Sequence, residues 1–155
     1  KAAGGRVSLT LSDPFCVSRH RNAFREMIKA DVDLLFCNRA EMLSMYETDD
    51  FDAAMAEAAA EIAIVACTDS ANGAYILSGG ETWHVPAIPT DIVDATGAGD
   101  LFAGAFLWAL THGYALEDCG HIGNIAAAEV ISHIGARPEA DLTALIAQAR
   151  LRPAT

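Results

Sequence analysis

Residues 94–100 read Asp-Ala-Thr-Gly-Ala-Gly-Asp and stand directly before an almost wholly apolar segment, residues 101–110. If that segment is a helix, its first turn offers backbone N–H groups without intrahelical partners and the positive end of the helix dipole, which suit a phosphate. Asp100 would lie beside that phosphate, an electrostatically unfavourable place for a carboxylate. A carboxylate placed there is suited to accept the proton of a hydroxyl that attacks phosphorus. The heptapeptide therefore predicts a phosphoryl-transfer site.

Other interpretations of the glycine-rich segment must be weighed. Gly97-Ala98-Gly99 could be a tight turn into a closely packed helix and nothing more. The segment is not a P-loop, because the Gly-x-x-x-x-Gly-Lys-Ser/Thr pattern is absent. It is not a dinucleotide fingerprint, because the G-x-G-x-x-G spacing is absent. The acidic residues Asp94 and Asp100 on either side, with the apolar helix behind, favour the phosphate interpretation.

Two further polar segments follow predicted strands, at the strand ends where α/β proteins bind ligands. Asn38-Arg-Ala-Glu41 comes after an apolar run, and Glu41 could help to hold Mg²⁺ through water, because that ion dehydrates reluctantly. Taken alone, this segment is better explained by helix capping, with Asn38 as the N-cap. Thr68 and the backbone of residues 68–73 could contact a nucleotide, although an ordinary polar turn explains them equally well.

Polar residues elsewhere in the chain give weaker indications of a functional site. Asn124 lies within the apolar helical segment 122–134, where a buried amide needs partners and either bonds locally or faces a cleft. His112, His121 and His133 lack the spacing of a metal site and are interpreted as structural. The four cysteines form no C-x-x-C pair, so a metal or redox motif is not supported.

The elements that must position these residues alternate between strands and helices. This order predicts an α/β fold with a mostly parallel sheet covered on both faces and an antiparallel pair at one edge. Asn38 is predicted to start a helix that carries Met42, Met45 and Tyr46, and Phe24, Met27 and Ile28 are predicted to share one helix face. Strands are predicted at residues 7–11, 33–37, 62–67, 74–77 and 82–85, and further helices at 18–30, 51–61, 97–112, 116–133 and 142–150.

Bulk composition limits the function classes. A chain of 155 residues, 52% hydrophobic and 20% charged, is expected to form one globular domain. A formal charge of −11 argues against nucleic acid as a partner, because phosphates would be repelled. The longest apolar run, residues 101–110, is about half as long as a membrane span, and no secretory signal is present. We therefore expect a soluble, cytoplasmic protein with no membrane partner.

These motifs resemble the ribokinase (PfkB) family of carbohydrate and nucleoside kinases. Residues 94–100 are similar to that family's Asp-Thr-x-Gly-Ala-Gly-Asp signature, with Ala95 where threonine is usual. Residues 38–41 are similar to its Asn-x-x-Glu motif, and residues 68–73 to its Thr-x-Gly-x-x-Gly segment, with Ser70 in place of the first glycine. Gly135-Ala136 is similar to a loop near the family's cation site. The resemblance implies a ribokinase-like three-layer α/β/α fold, with a mostly parallel sheet and an antiparallel edge.

The resemblance also implies an activity and its residues. It implies transfer of the γ-phosphoryl group of ATP to a primary hydroxyl, with Asp100 as the catalytic base. Asn38 and Glu41 would organise Mg²⁺, Glu41 through water, and Asp94 near Gly135 would hold a monovalent cation such as K⁺. The implied anion hole is formed by the N–H groups of Gly97, Ala98 and Gly99, and the implied nucleotide site by Thr68, Ser70, Gly73 and Asn124.

Members of that family are longer than this chain and carry an N-terminal substrate-binding half with a lid. Residues 1–155 are therefore expected to be the C-terminal, ATP-binding part of a kinase domain, which would not turn over by itself. Ser12-Asp13-Pro14-Phe15 favours adenosine-kinase-type members, with ribokinase and fructokinase types left open. The small-molecule substrate would be a sugar or nucleoside, and a homodimer stays open. The alternatives are a non-catalytic nucleotide-binding module or truncated relative, and a purely structural α/β domain.

Overall fold

Strands and helices alternate along the computed structural model, which describes residues 4–153. The chain divides into two compact units. Unit 1 contains the residues up to Asp69 together with Tyr75–Trp83. Unit 2 contains Ser70–Ala74 together with the residues from His84 onwards. Each unit is described separately below.

A five-stranded sheet in the order β1-β2-β3-β4-β5 forms the framework of the chain. The first three strands are parallel, and residues of β2 and β3 pair in register from Leu34↔Ile64 to Asn38↔Thr68. Gly79 and Gly80 alone connect the last two strands, so these strands must run antiparallel. The predicted antiparallel edge is therefore confirmed. The strands are β1 Ser8–Thr10, β2 Leu34–Asn38, β3 Ile64–Thr68, β4 Ala74–Ser78 and β5 Glu81–Val85.

Three helices of unit 1 connect the parallel strands: α1 Pro14–Ala30, α2 Arg39–Tyr46 and α3 Phe51–Glu61. Apolar side chains from these helices and from the sheet form one core cluster. The prediction for α2 is confirmed, because Met42, Met45 and Tyr46 are buried. The bounds predicted for α3 are also found. The core around β2 and β3 fixes the carboxyl ends of both strands, where the polar motifs begin.

Helix α1 starts four residues earlier than predicted, at Pro14 instead of residue 18. The Asp13 side chain accepts a hydrogen bond from the Cys16 N–H at 2.8 Å, and Pro14 occupies the first helical turn, where its missing N–H costs nothing. Met27 is 44% exposed, contrary to the expectation that it shares the buried face. Three residues after Phe24 and one before Ile28, it lies roughly 80° from the middle of the stripe that these two buried residues form, by the helical repeat.

Unit 2 contains three helices: α4 Ala98–Thr111, α5 Leu116–Ile131 and α6 Leu142–Gln148. Helices α4 and α5 pack closely, because Gly123 leaves room for the Phe102 ring: a Cβ at Gly123 would lie 2.7 Å from ring carbons. Phe102 and Phe106 are buried, and their ring centroids are 6.1 Å apart. This packing fixes the start of α4.

Several element ends differ from the predictions by one or two residues. Strand β3 begins at Ile64 rather than residue 62, because Ile62 is the C-cap of α3 and its N–H donates to Ala58 O at 3.0 Å. Helix α5 ends at Ile131 rather than residue 133, because Ser132 caps it through Glu129 O. Helix α6 ends at Gln148 rather than residue 150. Within residues 4–153, no helix is long and apolar enough to cross a membrane.

Candidate active site

Asn38 and Glu41 form a closed capping box at the start of α2. The Asn38 Oδ1 accepts the Glu41 N–H at 2.9 Å, and the Glu41 Oε2 accepts the Asn38 N–H at 2.9 Å. The Asn38 Nδ2 also donates to Glu41 Oε1 at 2.7 Å. The capping interpretation is therefore correct for the local structure. Its effect is to hold a carboxylate at the carboxyl end of β2.

Burial gives the Glu41 carboxylate an unusual electrostatic environment. The residue is only 5% exposed. Burial raises the pKa of Glu41, and the charge of Asp13 adds to that effect, while the hydrogen bond from the Asn38 backbone opposes it. A nearby cation would be favourable for this carboxylate, since it would offset the cost of burying the charge. The donor set is suited to a water-mediated divalent cation.

Thr68 pairs with Asn38 across the sheet, so the two predicted motifs of unit 1 end side by side. The Thr68 hydroxyl lies 3.5 Å from Cys37 O, at the long limit of a hydrogen bond. The next residues along each motif are joined directly: Arg39 Nη1 lies 3.1 Å from Asp69 Oδ2. The Arg39 guanidinium also stacks over the Phe51 ring, 4.1 Å from its centroid. This ion pair connects the segment after β2 with the segment after β3.

The segment after β3 in unit 2 begins with Ser70, which has a φ of +49°. This left-handed conformation favours glycine, the residue that the resembled motif has at this position. The departure from the motif therefore leaves a glycine-like backbone in place. Gly73 has a φ of +96°, and a Cβ there would lie 2.0 Å from Val85 O. Only glycine fits at residue 73.

Asn124 also contacts the end of β5. Its Nδ2 donates to Val85 O at 3.2 Å and to Pro86 O at 3.0 Å, and the residue is 7% exposed. The structure thus places Asn124 and Gly73 against the same stretch of backbone, at Val85. The buried amide thus finds its partners on backbone 38 and 39 positions away in the chain.

Asp100 lies in the first turn of α4 and is exposed. The N-cap of this helix is Gly97, with a φ of +83° and no side chain to cap the first turn. The Ala98 N–H donates to Ala95 O at the long distance of 3.3 Å. A helix start without a capping side chain leaves its donors available to an anion. The geometry predicted from residues 97–100 is present.

Asp94 connects the segment before α4 with the loop after α5. Its Oδ1 accepts the Thr96 N–H at 2.9 Å and its Oδ2 accepts the Gly135 N–H at 3.0 Å. Hydrogen bonds from the Thr96 side chain and backbone, and from the Gly135 backbone, lower the pKa of Asp94. The next loop residue, Ala136, packs against Gly97, where a Cβ would lie 2.8 Å from the Ala136 Cβ. Unit 2 therefore brings Asp94, Gly97 and Gly135 together.

A groove of about 1120 Å³ lies beside α5 within unit 2. Its lining is mainly apolar, with Glu129 and His133 among the polar exceptions. The volume slightly exceeds the roughly 300–1,000 Å³ that is usual for small-molecule sites. Other lining residues are Ile88, Thr90, His121, Ile125, Leu145 and Gln148.

The structure offers no dense metal-ligand cluster in its described part: no three His, Cys, Asp or Glu side chains there could hold a metal ion. His112 stacks on Trp108, with ring centroids 4.3 Å apart. Cys37, Cys67 and Cys119 are buried free thiols, and Cys16 is half-buried.

Sequence reasoning missed two side-chain networks. Arg39 and Asp69 occupy the variable positions of their motifs, so nothing in a motif marks them. Glu129 was also missed, although a visible signal existed: it is an acidic residue in an apolar helical stretch, with His133 four residues later. Its side chain is 7% exposed and lies 3.3 Å from His133 Nε2.

Comparison with known proteins gives a family match. The model of the pfkB family of carbohydrate kinases matches residues 1–142. A probable sugar kinase from Rhizobium etli CFN 42 is 48% identical with a TM-score of 0.95, over 97% of this chain and 46% of that one. The adenosine kinase from Sinorhizobium meliloti is 43% identical with a TM-score of 0.92, over 96% of this chain and 46% of that one. The predicted ribokinase-like three-layer α/β/α fold is thereby confirmed.

An uncharacterized sugar kinase from Archaeoglobus fulgidus is 35% identical over 112 residues. The match covers 72% of this chain and 45% of that protein. The chain thus spans about half the length of the relatives and solved structures that it matches.

Proposed function

The chain belongs to the pfkB family of carbohydrate kinases, and on that premise we propose that it forms the ATP-binding, catalytic part of a sugar or nucleoside kinase. The reaction is transfer of the γ-phosphoryl group of ATP to a primary hydroxyl. The observation that carries this proposal is the start of α4, where Asp100 follows an uncapped glycine N-cap. A phosphate-binding helix start and a proton acceptor are thus combined within one helical turn.

In this proposal Asp100 accepts the proton of the substrate hydroxyl as its oxygen bonds to the γ-phosphorus and the bond to the ADP oxygen breaks. The N–H groups of Gly97, Ala98 and Gly99 stabilise the charge on the transferred group. The long bond from Ala98 N–H to Ala95 O is one with which an anion can compete. Catalysis then depends mainly on position and charge, as phosphoryl transfer requires.

Two cation sites accompany this proposal. Asn38 and Glu41 organise Mg²⁺ through water, which fits the burial of the Glu41 carboxylate. The magnesium ion would neutralise charge on the phosphates. Asp94, whose carboxylate is held by backbone N–H groups of Thr96 and Gly135, holds a monovalent cation such as K⁺.

The nucleotide contacts are proposed among the polar turns and Asn124. Thr68 and the backbone of Ser70 contact the nucleotide. Gly73 and Asn124 shape its site through the backbone at Val85.

The substrate that accepts the phosphoryl group is proposed as a chemical class, a sugar or a nucleoside. Similarity to a probable sugar kinase and to an adenosine kinase supports both a sugar and a nucleoside. Ser12–Phe15, which favoured adenosine, includes the cap and first turn of α1, so a structural reason accounts for it as well.

A substrate panel tests the proposal. The complete protein, with Mg-ATP, is assayed against adenosine, ribose, fructose and 2-keto-3-deoxygluconate, and ADP release is measured. We expect one acceptor to stimulate ADP release strongly. ATP binding without turnover on a broader panel of sugars and nucleosides would support the alternative, a non-catalytic nucleotide-binding module, and would overturn the proposed activity.

A further inference from the structure

Glu129 is an acidic side chain inside the packed region of α5. Its Oε1 accepts two backbone hydrogen bonds, from the N–H groups of Glu139 and Ala140, each at 2.8 Å. The other oxygen, Oε2, is buried and has no hydrogen-bond partner among the described residues. One carboxylate oxygen therefore holds the far end of the loop formed by residues 132–141.

His133 lies next to this carboxylate at the end of α5. Its Nε2 lies 3.3 Å from Glu129 Oε1 but is buried without a hydrogen-bond partner among the described residues, and its Nδ1 lies 3.9 Å from Glu139 Oε1. Burial raises the pKa of Glu129, but the bonds from the Ala140 and Glu139 backbone, with His133 nearby, outweigh it and leave this pKa lowered. The ionised carboxylate is thus stabilised by the loop that it holds.

The near end of the same loop contacts the proposed anion hole. The Gly135 N–H donates to Asp94 Oδ2 at 3.0 Å. Ala136 packs so closely on Gly97 that a Cβ on that glycine would lie 2.8 Å from its own Cβ. Gly97 is the N-cap of α4. The loop is therefore fixed by Glu129 at one end and lies against the anion hole at the other.

We propose that Glu129 is a positioning residue for the anion hole: it holds the loop 132–141 in the conformation that sets Ala136 against Gly97. The expected effect on phosphoryl transfer rests on the proposed function, whereas the expected effect on the loop conformation does not. A residue that merely capped α5 would bond to the loop next to the helix end. Glu129 instead binds residues ten and eleven positions further along the chain.

Amide hydrogen exchange on the complete protein tests whether Glu129 holds the loop 132–141. Glu129→Ala removes the acceptor, and we expect exchange to become at least roughly 10-fold faster at Gly135–Ala140 and at Leu101, whose N–H donates to Gly97 O at 2.9 Å, as local opening becomes easier. Glu129→Gln keeps an acceptor oxygen, and the partnerless Oε2 loses no bond, so it should restore most of the protection. Glu117→Ala, at an exposed site in the first turn of the same helix, is the matched control and should change neither segment.

Steady-state kinetics test whether the loss of Glu129 slows phosphoryl transfer. In Glu129→Ala, kcat should fall by roughly 10- to 100-fold while KM for ATP changes little, because a displaced anion hole weakens the transition state more than substrate binding. If the alanine variant fails to fold, Glu129→Asp, shorter by one methylene, serves in both measurements.

Three results would overturn the inference. The first is unchanged exchange at Gly135–Ala140, and the second is faster exchange there with unchanged exchange at Leu101. The third is faster exchange in both segments with unchanged kcat. If the wild-type protein transfers no phosphate at all, the proposed function fails, while the exchange measurement still decides whether Glu129 positions the helix start.

Discussion

The Asp94 carboxylate accepts the backbone N–H of Gly135 at 3.0 Å, across 41 positions of the chain. Its other oxygen accepts the Thr96 N–H, so both oxygens are engaged by backbone donors. Through this contact the segment before α4 and the loop after α5 are held together. Charge-assisted bonds of this kind are stronger than neutral ones. The account therefore gives Asp94 a structural task as well as its proposed cation.

Asp94→Asn should lower the melting temperature of the complete protein at pH 7. The amide nitrogen that replaces one carboxylate oxygen cannot accept a hydrogen bond from the N–H of Thr96 or of Gly135. The pKa of Asp94 is lowered in the folded state, so its stabilisation is present above the unfolded pKa of about 3.9 and is lost as the pH falls through the folded value. The difference in melting temperature between the variant and wild type should therefore shrink towards pH 3.

Asp91→Asn is the control, because Asp91 is exposed and lies three positions earlier. The measurement is the melting temperature of wild type, Asp94→Asn and Asp91→Asn between pH 7 and pH 3. A difference that grows as the pH falls would contradict the role assigned to the Asp94 bonds.

Glu41→Gln should separate stability from magnesium use. Burial raises the folded pKa of Glu41, so ionisation above about pH 4.3 costs stability, and glutamine removes that cost but gives up one of the two hydrogen bonds that the carboxylate accepts from Asn38. The two effects oppose each other, so the variant should stay close to wild type in stability at pH 7. It should nevertheless need a higher concentration of free Mg²⁺ for half-maximal activity.

The measurement is activity against free Mg²⁺ at fixed ATP, together with a thermal melt. Glu26→Gln, at an exposed site of α1, should change neither quantity. An unchanged Mg²⁺ requirement in Glu41→Gln would remove Glu41 from the proposed magnesium site and leave it as a helix cap alone.

Ser70→Gly should stabilise the protein by about 0.5–1 kcal/mol. A left-handed backbone costs an L-residue about 1–2 kcal/mol, which exceeds the roughly 0.5–1 kcal/mol of extra entropy that glycine loses on folding. The same change in a helix, Ser18→Gly in α1, should destabilise instead. Urea unfolding of both variants and wild type gives the sign of each change in the free energy of unfolding. Destabilisation by Ser70→Gly would show that the left-handed conformation is not the native one.

Local sequence signals predicted much of this structure. The Asn38–Glu41 capping box was visible because its partners are three residues apart, and α3 was predicted at its observed bounds because alanine-rich helical spacing runs between clear end signals. The start of α1 was missed because residues 12–15 were interpreted as a sign of adenosine-kinase-type members, whereas Asp13 caps this helix and Pro14 starts it.

Contacts between distant residues could not be predicted. The Arg39–Asp69 ion pair joins residues 30 positions apart, and Glu129 reaches the backbone of a loop whose path no local pattern describes. The left-handed backbone of Ser70 was equally hidden, because serine does not signal it. In each case the tertiary packing, rather than the local sequence, determines the geometry.

The proposed function depends above all on Asp100 as the catalytic base, and one substitution at this residue provides the test. Asp100→Asn and wild type are compared in the complete protein by kcat with a stimulating acceptor and by the Kd for ATP. The control is Asp52→Asn, an exposed acidic residue in the first turn of α3, which loses the same interaction with a helix dipole. The account predicts that kcat falls roughly 10²- to 10⁴-fold in Asp100→Asn alone, while its Kd for ATP changes little. A kcat within a few-fold of wild type, or an equal loss of ATP binding, would contradict it.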